Sequence, residues 1–511
     1  IKELFPDAKI VVIPELLNGA VLTCMNGIKE INDRLGFSIS RPTDSYITSF
    51  HDADCSQVRI KDKDGNVSKT DWMGALTRDV AMTQNHNVAI TGSASNFNYR
   101  ASVAYKDAQG IAKTSNREEL MAKIAASQKA LNGKLNLQYD LSYMQYRNDY
   151  FCGDFKQAAI VNPTYPIYDK STESGYFKPQ GSGQSNPVEN MMNRESYKDG
   201  NFFRGSLKAS LELFDGFKLN AFAAIEEGDN HSYWSNGVIN TDLTGSGKAG
   251  RSSDTNISRL YEVTADYVWS YDAHSITAVA GVSYQNFMYD GMNIENKGFP
   301  TADIKYYQIG NGETNKLYLN AGSYRNANTL AAAFGRVNYS YDDKYLLEFL
   351  IRSDASTKFA PENYWGYFPS LSAGWVVSQE GWFQDNVSWI DFLKLRASFG
   401  MTGRDNLTAW QWQRFYGMDK DKGAIFGEDP ASTAGSRLAM NKNNTGVNPD
   451  AHWDESYKMN IGLDWNILNN RLGFVIEGYK QWDREMLMPY KASIPGTVGN
   501  QSAYQNMAEM N

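Results

Sequence analysis

Polar and apolar residues alternate with a period of two along most of the sequence from residue 86 onward. In the segment 206–213, for example, every second residue is Leu or Ala, and the residues between them are Ser, Lys or Glu. Successive side chains of a strand point to opposite faces, so each such segment predicts a β-strand with one apolar face. Fourteen strands are predicted in this way, near residues 86–93, 98–105, 119–129, 134–146, 202–214, 217–228, 257–269, 274–288, 329–340, 344–353, 367–378, 392–401, 456–467 and 471–484.

The predicted strands are long, and the connections between them alternate in length. Ordinary strands average about 5–6 residues, whereas a tilted strand that crosses a bilayer needs about 9–11. Short turns fall at 93–96, 131–133, 215–216, 271–273, 341–343 and 468–470, and long connections at 106–118, 147–201, 229–256, 289–328, 354–366 and 402–455. This asymmetry predicts an all-β fold, an antiparallel transmembrane β-barrel with short periplasmic turns and long extracellular loops. The segment 379–391 is the one long connection on the short-turn side.

Composition favours the same fold. The chain has 31 Tyr, 24 Phe, 12 Trp and 42 Gly but only 14 Pro, a bias that is typical of β-structure. Aromatic residues near the strand ends fit the interfacial girdles of a membrane barrel. These residues are Tyr105, Tyr146, Phe214, Trp269, Tyr284, Trp375, Trp465 and Trp482. A soluble sandwich or propeller would show the same period of two, but strand length and loop asymmetry favour the barrel.

Charge and motifs exclude several function classes. A net charge of -8 argues against a nucleic-acid partner, because phosphate binding needs a concentrated basic face. The three cysteines and five histidines show no zinc spacing, and the half calcium loop at Asp62, Asp64 and Asn66 lacks the glutamate expected at its twelfth position. No phosphate loop or nucleophile elbow is present. We therefore predict no catalytic, cofactor or metal site, and no enzyme.

The first 85 residues do not follow the strand pattern. The segment 27–36 predicts a short helix, and 59–69 predicts a hairpin around the turn at Asp64 and Gly65. We therefore expect an N-terminal portion of uncertain structure at residues 1–85 and a partial transmembrane β-barrel at residues 86–511.

One stretch carries a family resemblance. RSDASTKFAPENYWGYFPSLSAGWVVSQEGWF, at residues 352–383, resembles the hallmark segment of the SusC/RagA family of TonB-dependent outer-membrane transporters. Thr357, Lys358 and Tyr364 depart from the pattern, which has Ser, Arg and Arg there. Further matches follow in family order, at TQNHNVAITG, NPTYPIYD, FLKLRASFGMTG and YQNMAEMN. Several collinear matches are far more specific than one short motif.

The resemblance implies a barrel of 22 strands around an N-terminal plug, preceded by a segment that engages TonB. Neither the plug nor that segment is recognisable in residues 1–85, and about fourteen strands are predicted. We therefore interpret the chain as an incomplete copy that lacks the plug, the last strands, or both. A complete fourteen-stranded barrel, such as a fatty-acid channel, would explain the strand count alone.

The resemblance further implies TonB-dependent import of an oligomeric nutrient, with a glycan as the first choice and a peptide as the second. Its expected partners are a SusD-like surface lipoprotein, the TonB energy-coupling complex and the lipid of the Gram-negative outer membrane. A passive outer-membrane channel and a soluble carbohydrate-binding β-protein are the alternatives from other classes.

Aromatic residues in the predicted extracellular loops are the candidate ligand contacts, because flat rings stack on the C–H faces of sugars. They are Tyr233, Trp234, Tyr364, Trp365, Trp410, Trp412 and Tyr416. The competing interpretation is that these rings pack loops against one another or lie in the girdle.

Overall fold

The computed structural model describes most of the chain after residue 69. The described residues are 70–163, 165–172, 174–179, 185–237, 247–299, 301–312, 319–410, 412–413, 416–418, 424–425, 437–440, 445–446, 448–490 and 502–510. The helix and hairpin predicted within residues 1–69 therefore lie outside the described residues.

The described chain is almost entirely β-structure. The main strands are β1 Thr83–Ala94, β2 Phe97–Gln109, β3 Asn116–Ala130, β4 Leu135–Asp149, β5 Arg194–Phe214, β6 Phe217–Asn236, β7 Lys248–Tyr271, β8 His274–Lys297, β9 Asn320–Tyr341, β10 Tyr345–Ser356, β11 Trp365–Val376 and β12 Ile390–Arg404. Four short strands follow, β13 Tyr416–Met418, β14 Ala424–Ile425, β15 Arg437–Met440 and β16 Thr445–Gly446, and then β17 Asp454–Ile467, β18 Leu472–Tyr490 and β19 Ser502–Met510. The α-helices are α1 Trp72–Leu76, α2 Phe155–Ile160, α3 Pro187–Met192 and α4 Gly381–Asn386.

Fifteen of these strands form one antiparallel sheet in chain order, β1 to β12 and then β17 to β19. Strand β16 adds two residues in parallel at the β19 edge, and β13 to β15 form a separate small sheet. All fourteen predicted strands are present, so the predicted fold class is confirmed. The count is corrected to fifteen: β19 was not predicted because 502–510 mixes polar and apolar residues on both faces. Within the described residues the sheet does not close, since β1 and β16 lie at its two edges.

The sheet has one apolar face, which we call the outer face. Leu207, Ala223, Tyr261 and Tyr284 lie in one register row across β5 to β8 on this face. Tyr261 and Tyr284 are about half exposed, and many other large apolar side chains on this face are exposed as well. So much exposed apolar surface is stable in contact with lipid tails rather than water. No helix among the described residues is long and apolar enough to span a membrane.

The opposite, inner face is polar. On this face Arg396 of β12 donates to the carboxylate of Asp464 on β17, with Nε 3.1 Å from Oδ2, and also contacts Glu477 on β18. Such cross-strand ion pairs belong to a wetted wall, because unpaired charges would be costly against lipid. The two faces therefore match a barrel wall with lipid outside and a polar lumen inside.

Strands β5 to β9 extend far beyond a bilayer on the long-connection side. Strands β7 and β8 have 24 residues each, about 80 Å at 3.3 Å per residue, whereas a strand tilted by 45° needs roughly 42 Å to cross a 30 Å core. Past Tyr261 the outer face turns polar, at Arg259, Thr255 and Arg251. We call the residues 194–201, 229–236, 248–256, 289–297 and 320–326 the outward extension.

The connections differ at the two ends as predicted. Short turns use residues with positive φ, such as Asp272 at 53° and Asp342 at 53°. At the other end the connections build buried clusters. Helices α1, α2 and α3 pack around Trp72 and Leu76, and the connection 298–312 packs on the outer face of the outward extension. The long connection on the short-turn side holds a 3-10 turn, Val377–Gln379, followed by α4.

Candidate functional site on the inner wall of the outward extension

A concavity of about 480 Å³ lies on the inner face where β4 to β8 leave the membrane. Its lining mixes aromatic rings, amides and charged groups. The side chains that define it are Tyr146, Phe202, Asn230, Asn256, Phe287 and Tyr289. This mixture is typical of surfaces that bind polar molecules with apolar faces.

One register row forms the outward rim of this concavity. It runs across six neighbouring strands, β4 to β9, as Tyr146, Gly200, Asn230, Asp254, Gly291 and Tyr324. We call these six residues the inner-wall row. A tyrosine stands at each end, a glycine lies next to each tyrosine, and an amide and a carboxylate occupy the middle.

Each tyrosine of the inner-wall row covers its neighbouring glycine. A Cβ placed on Gly200 would lie 2.4 Å from Cζ of Tyr146, and one on Gly291 would lie 2.6 Å from Cζ of Tyr324. Side chains other than hydrogen would therefore displace the rings, and glycine in a strand interior commonly marks such a close approach. Both glycines are buried, whereas Tyr324 is 56% exposed.

Hydrogen bonds fix the middle of the inner-wall row. The Tyr146 hydroxyl donates to Oδ1 of Asn230 at 2.5 Å, and Nδ2 of Asn230 donates to Oδ2 of Asp254 at 2.9 Å. Asn230 is only 8% exposed, so its two bonds hold the tyrosine and the carboxylate in place. The guanidinium of Arg117 lies 4.6 Å from the centre of the Tyr146 ring, a cation–π distance.

The predicted contacts Tyr233 and Trp234 lie on opposite faces of β6. Trp234 is on the inner face, four positions outward from Asn230, and a Cβ on Gly250 would lie 2.6 Å from its indole ring. Tyr233 is on the outer face, with its ring centre 4.9 Å from that of Tyr197. The segment 229–256 was predicted to be a loop; instead, β6 continues to Asn236 and β7 begins at Lys248. The reason is that backbone pairing goes on after the apolar alternation has ended.

Tyr364 and Trp365 lie at the outward corner between β10 and β11. The carbonyl of Tyr364 accepts from Nε1 of Trp453 at 2.9 Å and from the backbone N–H of Ser356 at 3.0 Å. Trp365 begins β11 and is 53% exposed. In the connection between β10 and β11, the side chain of Phe359 is completely buried. The segment therefore builds a packed corner, and ligand contact by Tyr364 and Trp365 stays a prediction.

Trp410 and Trp412 lie in the connection after β12, and Tyr416 begins the small sheet. Trp410 has a φ of 69° and is 40% exposed, and its carbonyl accepts from the backbone N–H of Gln413 at 3.0 Å. The side chain of Tyr416 lies outside the described part of the structure. The structure does not bring these three residues to the inner-wall row.

Sequence reasoning missed the inner-wall row. Its members are two tyrosines, two glycines, an asparagine and an aspartate, and of these only Tyr146 stood out in the sequence. Tyr146 was assigned to the interfacial girdle, but the register places it on the inner face instead. The available signal was glycine inside a predicted strand, but pairing each glycine with a ring requires the register. Among the described residues, no three His, Cys, Asp or Glu side chains are grouped to hold a metal ion.

Comparison with known proteins gives a consistent result. TonB-dependent receptor SusC of Bacteroides thetaiotaomicron is 26% identical over 487 residues, which are 88% of this chain and 45% of that protein. TonB-dependent receptor P26 of Formosa agariphila is 26% identical over 465 residues, 86% of this chain and 43% of that protein. The chain thus spans less than half the length of either relative. No protein-family model matches it.

Solved structures show the same fold. The RagAB peptide importer in its 'closed-closed' state superposes with a TM-score of 0.74 at 21% identity, over 98% of this chain and 56% of that chain. A second structure, of the RagAB peptide transporter, gives 0.72 at 21% identity, over 86% and 48%. Together with the two-faced sheet, these similarities show the wall of an outer-membrane β-barrel with the fold of the RagAB transporter, in a chain that is similar to TonB-dependent receptors. The similarity to SusC and RagA confirms the resemblance predicted from residues 352–383.

Proposed function

We propose that this chain forms part of the barrel wall of an importer that takes up an oligomeric nutrient across the outer membrane. The observation that carries the proposal is the two-faced sheet with its outward extension. An apolar outer face needs lipid, while a polar inner face that continues past the membrane offers a ligand-facing wall on the cell exterior. The similarity to TonB-dependent receptors supports coupling to TonB as the energy source.

The partners of the complete assembly follow from the same relationship. We propose a SusD-like surface lipoprotein on the long-connection side, where packed segments such as 150–163, 185–193 and 301–312 offer surface around buried clusters. We propose the TonB complex as the partner on the short-turn side of the membrane. The nutrient is a glycan or a peptide; the solved RagAB structures are of a peptide importer, and aromatic rings on the inner wall favour a glycan here.

Energised import differs from passive flow in one measurable respect. In the native bacterium, uptake of fluorescently labelled oligosaccharides and oligopeptides should fall when the gene for this chain is deleted. It should fall equally when TonB is removed, because uptake through an energised importer needs both. A passive channel of the same fold would keep its uptake without TonB, and that result would overturn the proposal.

Extraction gives an independent check of the membrane assignment. The protein should leave the outer membrane only in detergent and should migrate faster on gels before heating than after, as folded barrels do. A protein that is soluble without detergent would contradict the assignment.

A further inference from the structure

We propose that the inner-wall row and the nearby Trp234 form a binding surface for a neutral oligosaccharide, with the rings as stacking platforms for pyranose units. This inference rests on the proposed import function and names the wall that the nutrient meets outside the membrane. The sequence features that first suggested ligand contacts, the loop aromatics, are not part of this surface except for Trp234.

The glycines make the rings into platforms. A ring that leans over a neighbouring Cβ is tilted away from the sheet, whereas one that covers a glycine can lie against the backbone. In the inner-wall row and at the nearby Trp234, three rings do this: Tyr146 over Gly200, Trp234 over Gly250, and Tyr324 over Gly291. All three glycines are buried. The Tyr324 ring, which is 56% exposed, therefore has one face against the wall and the other open to the lumen, whereas Arg117 lies over the Tyr146 ring at 4.6 Å and Lys248 over the Trp234 ring at 5.4 Å.

Hydrogen bonds within the inner-wall row restrain the Tyr146 ring. Tyr146 is tied through Asn230 to Asp254 by bonds of 2.5 and 2.9 Å, and Asn256 donates to the same carboxylate oxygen at 3.5 Å. A surface that is already ordered loses little conformational entropy when a ligand binds. The amides and the carboxylate also place polar atoms beside the rings, where sugar hydroxyls would lie when the sugar C–H face stacks on a ring.

The dimensions fit a short chain of sugars. Five steps between six strands at about 4.8 Å per step separate the two ends of the row by roughly 24 Å. Trp234 lies four residues beyond the row, about 13 Å farther from the membrane along its strand. A ligand that touches both tyrosines and Trp234 must therefore extend over several units.

The charges near the row favour a neutral ligand over a peptide. Nε of Arg204 lies 3.2 Å from Oε1 of Glu226, and Nζ of Lys248 lies 3.3 Å from Oε1 of Glu295. Arg117 contacts the carboxylate of Glu119. Since each of these cations already has a carboxylate beside it, a charged terminus or side chain of a peptide would have to compete with an existing partner. A neutral saccharide carries no charge that competes for these pairs, although a sugar stacked on Tyr146 or Trp234 would contact Arg117 or Lys248, which lie over those rings.

The test uses the complete native assembly purified in detergent. Binding would be measured by isothermal titration with hexasaccharides of α-1,4-glucan, β-1,4-glucan, β-1,3-glucan, β-1,4-xylan and β-1,4-mannan, and with a mixture of hexapeptides. We expect one hexasaccharide to bind, and Tyr324→Ala to weaken its affinity about ten-fold, because the variant removes the ring on which a pyranose unit stacks. Trp234→Ala should have a similar effect. Tyr324→Phe, which keeps the ring, should stay within about two-fold.

Two further variants test the ring position without removing the Tyr324 ring. Gly291→Ala places a methyl group where the Tyr324 ring lies and should weaken binding without removing the ring, even if Tyr324→Ala fails to fold. Met292→Ala, on the opposite face of the same strand and 56% exposed, is the matched control and should bind as the wild type does.

The outcomes separate this inference from the import function. Affinity that is unchanged in Tyr324→Ala and Gly291→Ala overturns the inner-wall site, even where uptake still requires TonB. Binding of hexapeptides alone, or of no hexasaccharide, overturns the saccharide assignment. Ring-dependent saccharide binding combined with TonB-independent uptake would support the site and overturn energised import instead.

Discussion

The ammonium of Lys305 lies 2.6 Å from Oε2 of Glu195, a residue 110 positions earlier in the chain. The neighbouring Tyr306 hydroxyl donates to the other oxygen of the same carboxylate at 3.0 Å. A hydrogen bond from Lys305 to Glu195 raises the pKa of the lysine above its ordinary value. This double contact fastens the connection 298–312 to the start of β5, above buried Phe299 and Ile309.

Replacing this carboxylate should loosen the connection without unfolding the sheet. In Glu195→Gln the ion pair is lost, which for a pair more than a third exposed costs only about 0.2–1 kcal/mol. We expect faster proteolytic cleavage within 298–312, measured by mass spectrometry of limited digests. Glu227→Gln, an exposed carboxylate on the outer face of β6, is the control. Equal cleavage rates in both variants would contradict a fastening role.

Low pH should destabilise the connection 379–391, the long connection at the end of the sheet that otherwise has short turns. Oε1 of Glu380 accepts from the Tyr345 hydroxyl at 2.6 Å and from Nε1 of Trp375 at 3.0 Å. These bonds, that from Tyr345 first, hold the pKa of Glu380 below its ordinary 4.5. A lowered folded-state pKa stabilises the fold above the unfolded value, and this contribution disappears as pH falls through the folded value.

The measurement is the thermal unfolding temperature in detergent between pH 7 and pH 3. Wild type should lose more stability on acidification than Glu380→Gln, which has no carboxylate to protonate. Asp385→Asn, in the same connection and exposed, should follow the wild-type profile. If the unfolding temperatures of Glu380→Gln and wild type fall in parallel with pH, the ionised Glu380 carboxylate does not contribute to stability and the prediction is wrong.

The tight turn between β5 and β6 should not tolerate a side chain. Gly216 has a φ of 79°, and a Cβ there would lie 2.2 Å from the carbonyl oxygen of Val268. A backbone atom cannot yield as a side chain can, so Gly216→Ala should destabilise the barrel by at least about 1–2 kcal/mol. Gly478→Ala, where a Cβ meets nothing within 4 Å, is the matched control. The yield of folded protein and the heat-dependent gel mobility would be compared for the two variants. Equal yields would contradict the predicted strain at position 216.

Phe359 of the hallmark segment should matter for stability rather than for ligand binding. Its side chain is completely buried, and its ring centre lies 5.5 Å from that of Trp453. Phe359→Ala should cost about 3–5 kcal/mol locally, seen as faster hydrogen exchange in 357–366. Tyr367→Ala, 61% exposed on the outer face, should leave exchange unchanged. Loss of ligand affinity with normal exchange would instead make this corner a binding site.

The membrane-spanning part of the fold could be predicted because lipid imposes a period of two on the sequence. All fourteen strands with that pattern are present. The outward extension could not be predicted in the same way, since its outer face carries polar residues as well as apolar ones that the connection 298–312 covers. Arg251 on the outer face of β7 illustrates this: the backbone pairing continues past it, whereas the strand predicted from the apolar pattern began only at residue 257.

The candidate site was partly predictable for a related reason. Trp234 and its neighbour Tyr233 were predicted together, because both were aromatic residues assigned to one loop. Within a strand, adjacent residues face opposite sides, which separates the two. Tyr324 and Gly291 belong together only through the β8–β9 register, and no local pattern specifies that pairing.

Strands β7 and β8 pair without interruption from Tyr271 and His274 to Lys248 and Lys297. This pairing fixes how far each residue of the two strands lies from the membrane. The height of Tyr324 above the membrane is set by the number of paired residues beneath Gly291. Adding two residues to every strand of the extension would raise the rings by about 7 Å, whereas adding one would turn them to the outside. Relatives that capture nutrients at different heights should therefore differ in these strands by even numbers of residues.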